Sequence, residues 1–348
     1  MKQSQSHSQK NLSVTRFEKT WPIFFIFPAV LFVISFMMGR YSLTPIELFE
    51  TIYYQFTDPS MIADPNQATV LFDIRIPRVI VVMLVGAGIG TAGAAYQGLF
   101  QNPLVSPDIL GASAGASFGA TLAILMFLPT YGIQAISFLF SVIAVFVATR
   151  FENVMKYQPI LALVLGGMLV KSFFDAGVSI TKYLSDPDDT LPAITFWLMG
   201  TFNGVKPKHI LEVSIPLVVA LFILFMNRQK LNVITFGETE ASSMGVNTRR
   251  LRITTIAACT LITASSISIC GQIGWVGLII PHLARSLTGP NFRQLLPMSA
   301  ILGASFLLIC DTICRNAFSV ELPIGILTSI IGIPFFVVIF KRKAKEFS

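Results

Sequence analysis

Residues 75–119, RIPRVIVVMLVGAGIGTAGAAYQGLFQNPLVSPDILGASAGASFG, decide the fold of this chain. The stretch begins with two arginines, Arg75 and Arg78, and continues as an apolar run rich in glycine and alanine. It is broken near Asn102 and Pro107 and resumes as a second run of small residues. A helix that crosses a bilayer needs roughly 17–25 mostly apolar residues. The pattern therefore predicts a membrane hairpin whose polar ends carry the function.

Glycines inside the first run predict close packing between helices. Gly86 and Gly90 are four residues apart, which places them on one helix face where another backbone can approach. The residues from Gly88 to Gly93 also match the string GxGxxG of dinucleotide-binding proteins. That fingerprint requires a preceding strand and a helix that starts in water, so the apolar surroundings favour a packing role.

Composition places the chain among multi-pass membrane proteins. Of its 348 residues, 53% are hydrophobic and only 12% are charged. The mean hydropathy is +0.71, and apolar runs recur almost to the C-terminus, which leaves no room for a large soluble domain. We predict an all-α polytopic protein with a polar N-terminal tail at 1–20 and a single integral-membrane domain at 21–348.

Ten membrane spans fit the hydropathy pattern. They are expected at 21–38, 78–99, 109–128, 131–149, 160–183, 209–226, 252–270, 274–288, 296–314 and 323–340. The run at 274–288 is short and contains Pro281, so a re-entrant segment stays open as an alternative there. Residues 44–56 have a proline at their second position, Pro45, and carry two glutamates, a pattern typical of an amphipathic helix outside the membrane.

Loop charges predict the orientation. With ten spans and the N-terminus in the cytoplasm, most lysines and arginines fall in cytoplasmic loops and tails, as the positive-inside rule requires. Both termini are therefore expected to be cytoplasmic. The same bias explains the basic net charge of +7, so nucleic acid is not implied as a partner.

A weak internal repeat supports a transporter. A shift of 174 residues places Arg78 on Arg252 and Pro107 on Pro281. Since the two copies would start on opposite faces of the membrane, the pattern is that of an inverted repeat, from which many transporters build a central pathway.

Charged and metal-binding residues inside the spans are few. Lys171 and Asp175 are four residues apart, a spacing that permits an ion pair within one helix, as a structural pair or as an ion relay. His282 has no histidine nearby in the sequence, which favours a packing or hydrogen-bonding role over metal ligation. The four cysteines lie in apolar runs without accompanying ligands, so neither a metal site nor a cofactor is expected.

Residues 232–250 predict a docking element at the cytoplasmic surface. Their central part, FGETEASSMGV at 236–246, is small and polar and is flanked by basic residues. The chain has no Gly-Lys pair and hence no Walker A loop for ATP. If transport is driven by ATP, the ATPase is a separate polypeptide.

Five motifs in order resemble one family of membrane proteins. They are RIPR at 75–78, QGLFQNPLVSPDILGASAGA at 97–116, FGETEASSMGV at 236–246, GWVGLIIPHLARSLTGPN at 274–291 and ELPIGILTSIIGIPFF at 321–336. The chain resembles the permease subunit of the bacterial ABC importers for iron-siderophores, haem and cobalamin, the FecCD-type permeases. The resemblance covers nearly everything after the first span.

This resemblance implies an assembly and a set of site residues. Such permeases have ten helices, pair with a second permease copy or a similar permease, and sit on two cytosolic ATPase subunits. They receive cargo from a periplasmic or lipid-anchored substrate-binding protein. The implied sites are binding-protein docking at Arg75, Arg78 and Arg315; ATPase coupling at Gly237, Glu238, Ala241, Met244 and Gly245; and a pathway gate at Asn102, Leu104 and Gln158. The segment from Trp197 to Gly200 resembles the one that lies over the outer mouth of the pathway.

The sequence therefore predicts a transporter in the bacterial cytoplasmic (inner) membrane and not an enzyme. The expected cargo is a metal chelate, with a ferric siderophore first and haem, cobalamin or an oxyanion as alternatives. A secondary transporter, driven by an ion gradient through Lys171 and Asp175, is the alternative class. Its uptake would continue without ATP and stop when the proton gradient collapses.

Overall fold

The computed structural model describes residues 26–39, 41, 43–62, 64–153, 158–317 and 319–347, and within these ranges it contains helices and no strand. The helices in chain order are α1 Ile26–Met37, α2 Pro45–Thr57, α3 Pro65–Ala68, α4 Ile76–Leu99, α5 Ala112–Leu125, α6 Thr130–Arg150, α7 Pro159–Leu184, α8 Thr190–Met199, α9 Pro207–Ile234, α10 Glu238–Ser243, α11 Thr248–Cys270, α12 Val276–Thr288, α13 Phe292–Asn316 and α14 Ile324–Phe347. A π-helical stretch, Thr69–Arg75, joins α3 to α4.

Each expected span contains a helix in the described part of the chain. The agreement is closest for long apolar runs: α6 and α7 each extend the predicted span by only one residue at either end. Six of the described helices are long and apolar enough to cross a membrane. They comprise Asn66–Leu99, Thr130–Asn153, Pro159–Leu184, Pro207–Ile234, Thr248–Cys270 and Phe292–Asn316. The total of ten spans and the cytoplasmic termini stay predictions, and the tail at 1–20 lies outside the described residues.

The expected amphipathic helix is α2, which begins one residue later than predicted. Thr44 caps it: the Glu47 amide donates to the Thr44 hydroxyl, and the Thr44 amide donates to the Glu47 carboxylate over 2.7 Å. This hydrogen bond from the Thr44 backbone lowers the pKa of Glu47. The cap fixes where the chain turns after α1, while Phe49 and Phe56 on the helix are exposed.

Helix α4 forms the centre of the bundle and packs most extensively against α13. A Cβ atom added to Gly86 would collide with the backbone carbonyl of Gly303 on α13. A Cβ atom on Gly90 would lie 2.7 Å from the carbonyl oxygen of Ser299. The two backbones therefore touch at both glycines, which confirms the predicted small-residue contact.

Two short helices, α5 and α12, follow breaks in the chain. Residues 100–111, here called the gate loop, precede α5 and end at Gly111, whose φ of 78° suits glycine. Residues 271–275 precede α12, and Gly271 and Trp275 also have positive φ angles. With 13 residues, α12 is too short to cross a bilayer at about 1.5 Å per residue, in line with the re-entrant alternative.

The predicted internal repeat is matched at its arginines and not at its prolines. Arg78 and Arg252 each lie near the start of a deeply buried long helix, α4 and α11 respectively. Pro107, however, lies in the gate loop, whereas Pro281 lies inside α12. The breaks before α5 and α12 are therefore not related by the shift of 174, because the two halves differ in loop length.

We predict that Gly86→Ala destabilises the fold. On an exposed helix this change would be favourable by about 1 kcal/mol, but here the new methyl group meets the Gly303 carbonyl. The free energy of unfolding, measured by denaturant titration in micelles, should fall by roughly 1–3 kcal/mol. Gly274→Ala is the matched control, since nothing lies within 4 Å of its added Cβ atom. Equal stability of the two variants would contradict this packing.

Candidate functional site

The three arginines predicted as docking residues meet in one cleft at the start of α4. Arg75, Arg78 and Arg315 line this arginine cleft together with Glu321, and its volume is about 520 Å³. Arg75 immediately precedes α4, Arg78 lies in the first turn of α4, and Arg315 comes from the last turn of α13. The contact between α4 and α13 therefore brings them together.

Arg78 is held between two carboxylates. Its Nε and Nη2 atoms donate to Oδ1 of Asp311 over 3.0 and 2.7 Å. Its Nη1 atom donates to Oε2 of Glu321 over 3.1 Å, and Nη2 also donates to Oε1 of Glu321. Asp311 is 1% exposed whereas Glu321 is 22% exposed, so Glu321 is the partner at the rim.

Arg75 and Arg315 also have internal partners. Arg75 donates to the backbone carbonyls of Phe36 and Tyr41, which ties the chain after α1 to the start of α4. Nη2 of Arg315 donates to Oγ of Ser35 over 2.6 Å, and its Nε lies 3.1 Å from Oδ2 of Asp311. All three guanidinium groups are thus engaged inside the chain, and their docking role stays a prediction.

A short helix covers the side of the arginine cleft. The residues from Trp197 to Gly200 end α8, and Gly200 has a φ of 74°. The Gly200 carbonyl accepts from the amide of Ile324 at the start of α14, over 3.0 Å. Phe196 of α8 lines the cleft itself. The α8 segment is therefore fixed to α14 next to the arginines.

The gate loop lies at the opposite end of α4, about 36 Å away for a helix of 24 residues. The Leu104 amide donates to Oδ1 of Asn102 over 2.9 Å, so the asparagine shapes the turn. Leu104 itself is 52% exposed. Nε2 of His282 on α12 lies 2.9 Å from the carbonyl oxygen of Pro103, which agrees with its expected hydrogen-bonding role.

Gln158 lies apart from the other two gate residues. It is the N-cap residue of α7 and is exposed, and within the described ranges no hydrogen bond joins it to Asn102 or Leu104. Its neighbour Tyr157 lies outside the described residues. The structure therefore brings Asn102 and Leu104 together, and the assignment of Gln158 to the gate stays a prediction.

The predicted element at 232–250 forms the short helix α10 between α9 and α11. It begins after Gly237, with a φ of 122°, and ends before Gly245, with a φ of 82°, so glycine permits both turns. Ala241 is fully buried against the bundle, whereas Met244 is 63% exposed. The element thus has an anchored side and a side that is open for contact. Gln101 of the gate loop donates to the carbonyl of Ile234 over 2.8 Å, which places this element beside the gate loop.

Arg252 connects α10 to the bundle. Its Nη1 atom pairs with Glu238, the first residue of α10, and its Nη2 atom donates to Oε1 of Glu152 over 2.9 Å. Glu152 follows α6, and Arg252 itself is buried near the start of α11. A displacement of α10 would therefore reach both α6 and α11 through one guanidinium group.

Lys171 pairs across the fold and not along its own helix. Its Nζ atom lies 3.4 Å from Oδ2 of Asp108 in the gate loop, while Asp175 is exposed one turn further along α7. The predicted pair of Lys171 with Asp175 is therefore wrong. Spacing along the helix permitted it, but the gate loop folds back and supplies a carboxylate 63 residues away.

Sequence reasoning missed the carboxylates that hold these arginines and the lysine. Asp311 lies four residues before Arg315, and this helical spacing was a usable signal. Glu321, Asp108 and Glu152 reach their partners from distant parts of the chain, which no local pattern reveals. All four cysteines are free and buried, and within the described ranges no three His, Cys, Asp or Glu residues are grouped as metal ligands.

Comparison with known families decides the identity of the chain. The profile of the FecCD transport family matches residues 27–342. The chain belongs to the FecCD transport family. It is consequently a transport permease and not a catalytic subunit, and with its apolar helices it is a multi-pass protein of the cytoplasmic (inner) membrane.

Curated FecCD relatives cover nearly the whole chain. The molybdate import system permease protein MolB of Haemophilus influenzae is 38% identical over 312 residues, which are 89% of this chain and 92% of that protein. The cobalamin import system permease protein BtuC of Halobacterium salinarum is 36% identical over 82% of this chain and 77% of its own length. The iron(3+)-hydroxamate import system permease protein FhuG of Bacillus subtilis is 31% identical over 91% and 95%.

A solved structure shares the fold. An ABC transporter of the metal-chelate type, in an inward-facing conformation, superposes with a TM-score of 0.82 and 36% identity. The match covers 93% of this chain and 99% of the other. The helical arrangement described above is thus that of a polytopic ABC permease.

Proposed function

We propose that this FecCD permease is the membrane half of an ATP-driven importer of a metal chelate, with a ferric siderophore as the first candidate cargo. Two copies, or this chain and a similar permease, surround the pathway. A periplasmic or lipid-anchored binding protein delivers the cargo on one side, and two cytosolic ATPase subunits drive the cycle on the other. The separation of the arginine cleft from α10 along the length of α4 is the observation that carries this proposal.

The three arginines receive the binding protein in this proposal. Guanidinium groups pair bidentately with carboxylates, and positive clefts steer acidic partners toward docking. Arg78 already binds carboxylates in this geometry, with Asp311 beneath it and Glu321 at the rim. A carboxylate of the binding protein would take the place of Glu321. Because α8 and α14 lie next to the cleft, they would shift when this exchange occurs.

At the other end, α10 fits into the ATPase. Gly237 and Gly245 set its two turns, Ala241 anchors it, and Met244 presents an apolar contact. Movement of α10 would pull on Arg252 through Glu238. Since Gln101 ties the gate loop to the end of α9, the same movement would shift Asn102 and Leu104 and open the pathway.

Reconstitution tests the proposed function directly. The chain, reconstituted with its ATPase and binding protein, should import a cargo into proteoliposomes only when ATP is supplied on the ATPase side. The probes are the cargoes named for its relatives: molybdate, cobalamin, ferric citrate and a ferric hydroxamate. Uptake that continues without ATP and stops when a proton gradient collapses would reject the importer in favour of an ion-driven transporter.

Docking at the arginine cleft predicts a gain of affinity. Glu321→Gln should tighten binding of the binding protein by roughly threefold or more, because it removes the carboxylate that competes for Arg78. Glu50→Gln, on exposed α2, removes the same charge elsewhere and should leave affinity unchanged. Surface plasmon resonance on nanodisc-embedded permease measures both. Equal affinities for the two variants would show that Arg78 does not take part in docking.

Coupling at α10 predicts a loss of affinity. Met244→Asp should weaken binding of the ATPase subunit roughly tenfold or more, because a charge enters an apolar contact. Met61→Asp is the matched control: Met61 is 64% exposed, close to the 63% of Met244, and lies between α2 and α3. Thermophoresis with the isolated ATPase subunit gives both constants. A Met61 variant as weak as the Met244 variant would contradict the assignment.

A further inference from the structure

A second cavity lies between the gate loop and the residues that lead into α12. Its volume is about 330 Å³. Lys171, Asp108, Ser113, Gln272 and Trp275 supply most of its polar lining. These residues come from α7, the gate loop, the first turn of α5 and the break before α12, so the cavity sits where two interrupted helices face each other.

Lys171 is the cationic group of this cavity. It is the thirteenth of the 26 residues of α7, which places it near mid-membrane if α7 spans the bilayer. Its side chain is half exposed. A charged group at this depth is costly unless it faces water or a partner, so a half-exposed ammonium group marks a hydrated space.

The ammonium group has unused hydrogen-bonding capacity. It carries three N–H donors, and among the described residues its hydrogen bond goes to Asp108 alone. The distance of 3.4 Å between Nζ and Oδ2 exceeds the ~2.7–2.9 Å of a tight charge-assisted bond. Lys171 is therefore positioned by Asp108 and can donate to a further acceptor in the cavity.

Asp108 is held between the start of α5 and Lys171, with its Oδ2 atom facing the ammonium group. The Oδ1 atom of Asp108 accepts from the Ser113 amide over 2.8 Å. The backbone carbonyl oxygen of Asp108 accepts from the Gly111 amide over 2.9 Å. Amides at the start of α5 also favour a negative charge at this position. Lys171 can therefore stay paired with Asp108 and donate its remaining N–H groups to an arriving anion.

We propose that Lys171 is an anion contact in the translocation pathway. The cargo it serves carries anionic oxygen atoms, as carboxylates, deprotonated chelate groups or oxo groups do. This inference rests on the proposed importer function and narrows it, because a neutral cargo gains nothing from a half-exposed ammonium group. The competing role for Lys171 is a clamp that only holds the gate loop against α7.

Quenching of Trp275 fluorescence tests the local charge without knowledge of the cargo. In a chain with Trp21→Phe and Trp197→Phe, Trp275 is the remaining tryptophan, and it lines the cavity. Iodide should quench it more strongly than the cation caesium does at low ionic strength, and added sodium fluoride should reduce the difference. Stronger quenching by caesium would overturn the proposal.

Variants separate the anion contact from a clamp. Lys171→Met should lower the iodide quenching constant by roughly twofold and leave quenching by neutral acrylamide unchanged. Lys171→Arg should retain the iodide effect. Asp175→Asn is the control, since Asp175 is exposed on the same helix and does not line the cavity. Iodide quenching that stays the same in Lys171→Met would leave the clamp as the role of Lys171.

Transport separates failure of this inference from failure of the proposed function. ATP-driven uptake of molybdate or ferric citrate by the wild-type chain, lowered about tenfold in Lys171→Met and restored in Lys171→Arg, supports both. ATP-driven uptake that is equal in the wild-type chain and in Lys171→Met overturns the anion contact and leaves the importer standing. Absence of ATP-driven uptake for every probe rejects the importer, and the quenching result then still decides the charge of the cavity.

Discussion

Contact between the backbones of α4 and α13 is the constraint on which the rest of the structure depends. In lipid the hydrophobic effect does not drive helices together, so close packing of small residues must contribute instead. Gly86 lies against Gly303, and Gly90 lies against Ser299. This approach places the start of α4 beside the end of α13 and creates the arginine cleft there. Helix α4 then sets a fixed distance between that cleft and the gate loop.

Buried charge is organised at both ends of this rigid centre. At one end Arg78 is shared by Asp311 and Glu321; at the other end Arg252 is shared by Glu152 and Glu238. A buried ion pair contributes little net stability, but removing one partner is costly because it leaves an uncompensated charge. Such pairs therefore suit positions where a helix exchanges one ionic partner for another and stays in contact with the bundle. The rim carboxylates Glu321 and Glu238 belong to the segments that a docking partner would reach.

The sequence predicted the helices well and their contacts poorly, for physical reasons. Long apolar runs such as α6 and α7 are limited by bilayer thickness, so hydropathy alone located them within one residue at either end. The partner of Lys171 was different: helical spacing suggested Asp175, whereas the gate loop brought Asp108. The motif resemblance located Arg78 and Met244, but it could not show that Arg78 is already paired inside the chain. Pairings between distant segments depend on tertiary packing, which local spacing does not encode.

Pairing of Arg75, Arg78 and Arg315 inside the chain changes what the proposed docking would require of a partner. The cleft holds Arg75, Arg78 and Arg315 against Asp311 and Glu321, so an excess of positive charge persists there after the internal pairs are counted. That excess attracts an acidic surface from a distance, where screening by salt is the main limit. At contact, an incoming carboxylate would meet the Arg78 guanidinium group, which is already oriented by buried Asp311. In the proposed docking it would replace Glu321 within an existing site. The displaced residue lies three positions before α14, whose first amide, that of Ile324, donates to the Gly200 carbonyl. An internal carboxylate can thus hold the empty permease in order and still yield to a partner of the same chemistry.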